Sequence, residues 1–123
     1  MGGAMKDKCF YYRAHVVSVY DGDTCHVDID LGFGVWKKNE TLRLHRINAP
    51  EVRGESREAG LESRDFLREL ILDKDVMLQS VLDRKGKYGR YLAEIWIYDD
   101  AGANWHNVND MLVENEQAIY QEY

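Results

Sequence analysis

Proline is nearly absent: Pro50 is the only one in 123 residues. There is no proline-, serine- or glutamine-rich tract and no internal repeat, so the composition offers no linker and no low-complexity tail, and one domain is expected. Long hydrophobic runs are missing as well. No stretch approaches the roughly 20 apolar residues of a membrane-crossing helix. Met1-Gly2-Gly3-Ala4-Met5 lacks the basic-then-apolar pattern of a secretion signal and reads as a cloning remnant, with residues 6–123 as the domain. Cytoplasmic localisation is the default expectation. Cysteine is scarce, and Cys9 and Cys25 form no C-x-x-C pair, so free thiols in a reducing compartment are expected rather than a disulfide framework. The four histidines (15, 26, 45 and 106) share no ligand spacing on one helix, which sets a zinc site aside. A surplus of positive charge is also lacking: 22 acidic against 16 basic residues give a net charge of −6. That excludes nucleic-acid binding by bulk charge, and any phosphate site must be local.

What is present is a foldable core, with 45% hydrophobic residues, eight tyrosines and three tryptophans. Trp36, Trp96 and Trp105 are expected as core or rim packing rather than base-stacking platforms. His15 to Tyr20 is β-branched and strand-like, and Asp21-Gly22-Asp23 follows with turn chemistry, glycine tolerating positive φ. Thr24 to Asp30 alternates, with Cys25, Val27 and Ile29 on one face. A third strand is expected from about Glu40 to Ile47, with Leu42 and Leu44 on one face and Thr41, Arg43 and His45 on the other, and Asn48-Ala49-Pro50 ends it. Ser56 is a plausible N-cap for a helix whose apolar stripe is Ala59, Phe66, Leu67, Leu70 and Ile71, and the alternating charges from Arg53 to Glu69 mark its solvated face. Val76 to Leu82 and Tyr88 to Tyr98 read as strands around a polar loop, Asp83 to Lys87. Asn107 caps a short last helix. Three strands, a helix, two strands and a short helix suit a mainly β (α+β) domain, a five-stranded OB-type Greek-key barrel, because closure removes the edges an open sheet would expose.

Alternation alone leaves four polar segments unexplained: Asp21-Gly22-Asp23-Thr24, Arg43, Asn48-Ala49-Pro50-Glu51, and Lys87-Tyr88-Gly89-Arg90. Phosphodiester hydrolysis needs such a set. Oxygen ligands hold a hard cation, a carboxylate orients or deprotonates a water, and guanidiniums meet the charge growing on the phosphoryl oxygens, two at a time. Taken singly, each segment has a plainer reading: the aspartates as turn formers, Arg43 as a solvent-facing strand residue, Arg90 as a rim arginine paired with Glu94.

Taken together and in this order, with Leu42-Arg43-Leu44 and Val108-Asn109 between and after them, these segments resemble the successive motifs of the staphylococcal (thermonuclease-like) nucleases, over roughly Val16 to Gln117. The resemblance implies a calcium-dependent nuclease that cleaves DNA or RNA by in-line water attack, leaving a 3′-phosphate and a 5′-hydroxyl. It assigns Asp23, Asn48 and the Ala49 carbonyl to the metal, with Asp21 behind them. Glu51 falls to the attacking water, Arg43 and Arg90 to the scissile phosphate, and Lys87 and Tyr88 to a terminal phosphate. The implied partner is nucleic acid, single- or double-stranded. Three departures stand out. Asn48 replaces a carboxylate, so calcium should bind about tenfold more weakly. The family's late tyrosines have no firm match in Tyr120 and Tyr123. The family's final helix has no counterpart before Tyr123, from which a marginal fold or a covering partner is expected. The competing reading is an OB-fold module that binds nucleic acid or protein without cutting.

Overall fold

In β1 (Tyr11–Asp21) and β2 (Thr24–Gly32) the alternation places Ala14, Val16, Val19, Cys25, Val27 and Ile29 inside. The computed structural model describes residues 10–85 and 89–121, the side chains of 82–85 excepted. The chain continues through β3 (Val35–Leu44), β4 (Ile47–Asn48), a 3-10 turn (Gly54–Ser56) and α1 (Arg57–Ile71). Then come β5 (Asp75–Lys85), β6 (Tyr91–Asp99), β7 (Asn104–Asn107), α2 (Val108–Glu114) and β8 (Ile119–Tyr120).

The main sheet runs β3-β2-β1-β5-β6-β7, and a further pairing of β3 with β6 closes its first five strands into a barrel. The closing seam is parallel and short: Leu42, Arg43 and Leu44 face Tyr91, Leu92 and Ala93. Register shifts in β1 between Val16 and Ser18 and between Val19 and Asp21 supply the bends that closure requires. Val16, still opposite Val27 in the ladder, exchanges hydrogen bonds with the turn after α1 as well, donating to the Lys74 carbonyl and accepting from the Asp73 N–H. The five-stranded OB-type barrel with two helices expected from the sequence is thus the fold. Its core of Val16, Val27, Leu42, Leu44, Ile47, Leu67, Ile71, Ile95, Val108 and Leu112 excludes water almost completely. Each such side chain contributes about 1.5–3 kcal/mol on burial.

Several local expectations shift. β3 begins at Val35 and ends at Leu44, because Arg46 adopts a left-handed conformation (φ 69°) and turns the chain before β4. That conformation is held by Glu94, whose oxygens take Nε and Nη2 of Arg46 at 2.9 and 2.7 Å, and by Asp110 at 2.9 Å. Glu94 also meets His45 and Asn107, so its partner is Arg46 rather than Arg90. β5 runs on to Lys85, into the expected loop, and β7 and β8 are additional strands. The buried stripe of α1 is Gly60, Ser63, Leu67 and Ile71, with Ala59 exposed. Its N-terminal half presents only small residues inward, so the helix backbone lies close to what it covers. Trp36 and Trp105 are half exposed at the rim. Asn107 does cap α2, its side chain accepting from the Asp110 N–H at 2.8 Å.

Candidate active site

Barrel closure brings distant segments to one pole. Arg43, near the end of β3, faces Thr24 across the antiparallel ladder and Leu92 across the parallel seam. Asp23 therefore lies just before β2 and Arg90 just before β6, flanking the same strand end. The β4 strand, paired with β8, carries Asn48 and leads into Ala49. The result is one cavity of about 470 Å³ lined by Tyr20, Asp21, Asp23, Thr24, Arg43, Asn48, Ala49, Glu51, Val52, Arg53 and Arg90. Every sequence-predicted site residue among the described ones lines it. Lys87 and Tyr88 lie outside the described residues.

The floor of the cavity is a buried ion pair. Asp23 and Arg43 are only 5% and 6% exposed, with Arg43 Nη2 at 3.3 Å from Asp23 Oδ2. The Ala49 N–H donates to the same oxygen at 2.8 Å, and the Thr24 hydroxyl donates to Oδ1 at 3.1 Å. Both terminal nitrogens of Arg43 are engaged by protein. Nη1 donates to the Leu44 and Ile47 carbonyls at 2.7 and 2.9 Å, and Nη2 also reaches Asn48 Oδ1 at 3.3 Å. Arg43 is therefore no solvent-facing strand residue: it ties the β3–β4 turn to the acidic turn while still facing the cavity. Removing either partner would leave the other charged and buried, which costs several kcal/mol.

Asp21 accepts from the Asp23 N–H at 3.1 Å. Its carboxyl is pushed up to about 7, first by burial and then by the hydrogen bond and charge of Asp23. Two carboxylates this close repel each other, and a hard cation between them would relieve that repulsion. The donors gathered here are all oxygens: two carboxylates, the Asn48 amide and the Ala49 carbonyl. Their chemistry fits calcium, with low ligand charge. Among the described residues no group of three or more His, Cys, Asp or Glu is arranged to hold a metal.

Two glycines set the spacing, for reasons the sequence pattern did not disclose. Gly22 serves the acidic turn through its small size. A Cβ there would lie 2.7 Å from the Ala49 and Ser63 Cβ atoms, so the turn sits directly against α1 and the loop after β4. Gly60 lets the α1 backbone touch the Glu51 loop: a Cβ would run into the Glu51 carbonyl and stand 2.8 Å from the Val52 nitrogen. An isolated glycine inside a helical pattern is the signal that marks such a contact. Ser56 precedes α1 as expected but makes no capping bond. Its hydroxyl donates back to the Glu51 carbonyl at 3.0 Å. The backbone at Glu51 is held from two sides while its side chain stays exposed. Asn109, which the sequence offered only as part of the Val108-Asn109 motif and with no role, is a positioning residue. Fully buried, it accepts from the Ile95 N–H at 3.1 Å and donates to the His45 and Ala93 carbonyls at 2.9 and 3.2 Å, fastening α2 to the seam.

The sequence model of the staphylococcal nuclease homologues matches residues 41–123, which carry Arg43, the Asn48–Glu51 loop and Arg90. The chain belongs to this family. It is 32% identical over 85 residues to the thermonuclease of Staphylococcus hyicus, covering 67% of this chain and 47% of that protein. It is 27% identical over 128 residues to an uncharacterised protein of Methanocaldococcus jannaschii, covering 92% of this chain and 58% of the other. The chain thus spans about half the length of the curated relatives it matches. The acidic turn, Asp21 to Thr24, precedes the matched residues, and its contacts with Arg43 and Ala49 join it to the family's segment.

Proposed function

We propose that the chain hydrolyses phosphodiester bonds of nucleic acid at this pole of the barrel, with calcium as its metal. The observation that carries the reading is the convergence of Asp21, Asp23, Arg43, Asn48, Ala49, Glu51 and Arg90, drawn from four separate chain segments, on one cavity. Asp23, Asn48 and the Ala49 carbonyl would hold the ion, with Asp21 behind them. When bound, calcium supplies positive charge beside the phosphoryl oxygens and offsets two carboxylates that would otherwise repel a phosphate. Glu51, exposed in the cavity wall on a fixed backbone, accepts a proton from the attacking water. The water oxygen bonds to phosphorus, the bond from phosphorus to the 5′ oxygen breaks, and that oxygen takes a proton from solvent water while Glu51 returns its own to solvent, giving a 3′-phosphate and a 5′-hydroxyl. Arg43 and Arg90 face the phosphoryl oxygens, where their fixed charge stabilises the developing negative charge.

Digestion of single-stranded DNA with calcium titrated from micromolar to tens of millimolar, beside Glu51→Gln, tests this reading. Cutting by the wild type only in calcium, and its loss in the variant, supports the enzyme. No cutting with calcium, magnesium or manganese sinks it. The protein would then be a binding module, which should hold an oligonucleotide in chelator and tolerate Glu51→Gln without loss of affinity.

A further inference from the structure

Two polar side chains of the cavity wall, Tyr20 and Arg53, neither hold nor face the reacting groups in the assignments above. Tyr20, next to last in β1, is half exposed, and Arg53 stands two residues after Glu51, fully at the surface. They meet across the mouth of the cavity, Arg53 Nη2 donating to the Tyr20 hydroxyl at 2.7 Å. The bond is built from both sides. Tyr20 is set by the β1 ladder, and Arg53 by the turn in which Ser56 Oγ donates to the Arg53 carbonyl at 3.4 Å. The adjoining Gly54 takes a positive φ of 73°. The Tyr20 hydroxyl and the Glu51 carboxylate both act to keep the guanidinium charged.

The charge distribution gives this pair a task. Both terminal nitrogens of Arg43 are engaged by the cavity floor, on Leu44, Ile47, Asn48 and Asp23, so a substrate must share that cation with the protein. The protein as a whole carries −6, and a polyanion gains nothing from its bulk charge. Arg53 brings a guanidinium to the open mouth, and Tyr20 lays an aromatic ring beside it. This is the pairing of phosphate contact and stacking surface by which single strands are held. Resting on the nuclease reading above, we propose that Arg53 and Tyr20 form a substrate subsite for the nucleotide next to the scissile phosphate. Arg53 takes that nucleotide's phosphate, and Tyr20 positions the guanidinium and receives the base. Arg53 is a specificity residue for strands over isolated phosphodiesters, apart from the reacting atoms.

The test uses two measurements. Binding of a fluorescent eight-nucleotide thymidylate strand is followed by anisotropy in calcium, with Glu51→Gln preventing cleavage, over a range of salt concentrations. Adding Arg53→Ala should weaken binding several-fold. It should also reduce the slope of log Kd against log salt by about 0.7, the value for one phosphate contact on a single strand. Arg53→Lys should restore the slope but not the full affinity, because a lysine keeps the charge without the fork that meets Tyr20. In the active protein, Arg53→Ala should raise KM for the strand with kcat nearly unchanged, and leave hydrolysis of a thymidine nitrophenyl phosphodiester, which has one phosphate, as it was. An unchanged salt slope and KM in a protein that still cuts would overturn the subsite and leave the nuclease reading intact. An equal loss on strand and single diester would place Arg53 at the reacting centre and also overturn it. Wild-type protein that neither binds nor cuts would remove both readings.

Discussion

Gly60→Ala sets two expectations against each other. An interior helical glycine costs about 1 kcal/mol relative to alanine, so an unobstructed substitution in α1 would raise Tm by roughly 3–6 °C for a domain of this size. Here the added methyl group runs into the main chain of Glu51 and Val52. Neither neighbour is a flexible side-chain end, so the loop or the helix must move. Overpacking of this kind costs about 1–3 kcal/mol, which offsets the propensity gain and leaves a net loss of up to about 2 kcal/mol. The larger effect falls on activity. A shift of about 1 Å in a positioned catalytic group lowers rate on the order of 10²-fold. The assays are thermal unfolding by circular dichroism and calcium-dependent digestion of single-stranded DNA at saturating substrate. The expected outcome is a Tm equal to or below that of the wild type with a large fall in kcat. A Tm raised by several degrees with kcat intact would refute the argument that this contact positions Glu51.

Asn48→Asp restores a carboxylate to the cavity floor, and half-maximal activity should then need about tenfold less calcium. An unchanged calcium titration would count against Asn48 as a ligand. Asn109→Ala takes the Asn109 amide away from the Ile95 N–H and the His45 carbonyl, while the Ala93 carbonyl keeps the His45 N–H at 2.9 Å, and urea denaturation should show a loss of roughly 2–6 kcal/mol, from two buried groups at about 1–3 kcal/mol each. Cys25, pushed up to about 12 by burial and then by the charge of Asp21, should resist alkylation in the native state at pH 8, as read by mass spectrometry of its peptide. The sign of its pH linkage follows. Between about 9 and 12 the unfolded thiol ionises and the folded one does not, so the unfolded chain binds fewer protons and stability falls as pH rises, by up to about 1.4 kcal/mol per unit. Cys25→Ala should make that alkaline decline shallower.

Strands β1 and β2, helix α1 and the Asn107 cap were legible because each is specified by neighbours in sequence: alternation, an apolar stripe, a side chain three residues from the N–H it caps. The site was legible as a set of residue types in order. Its construction was not. Arg43 read as one more outward position on β3, and only closure against β6 buries it. Gly22 read as a turn residue free to take positive φ, whereas its requirement is space against Ala49 and Ser63, both far along the chain. The left-handed Arg46 carries no local signal, since Glu94 and Asp110, which hold it, come from β6 and α2. The two-residue strands β4 and β8 are too short to leave a periodic trace and form because the folded barrel brings them together.

The parallel seam has a consequence in time. Arg43 is translated well before Arg90, and the two flank the same pole only once β6 has docked along Leu42 to Leu44. A chain emerging from the ribosome carries the acidic turn and Arg43 early, yet it holds half a site until β6 has been made. On the nuclease reading proposed above, this ordering withholds the complete set of cavity residues from the RNA template until β6 has been made.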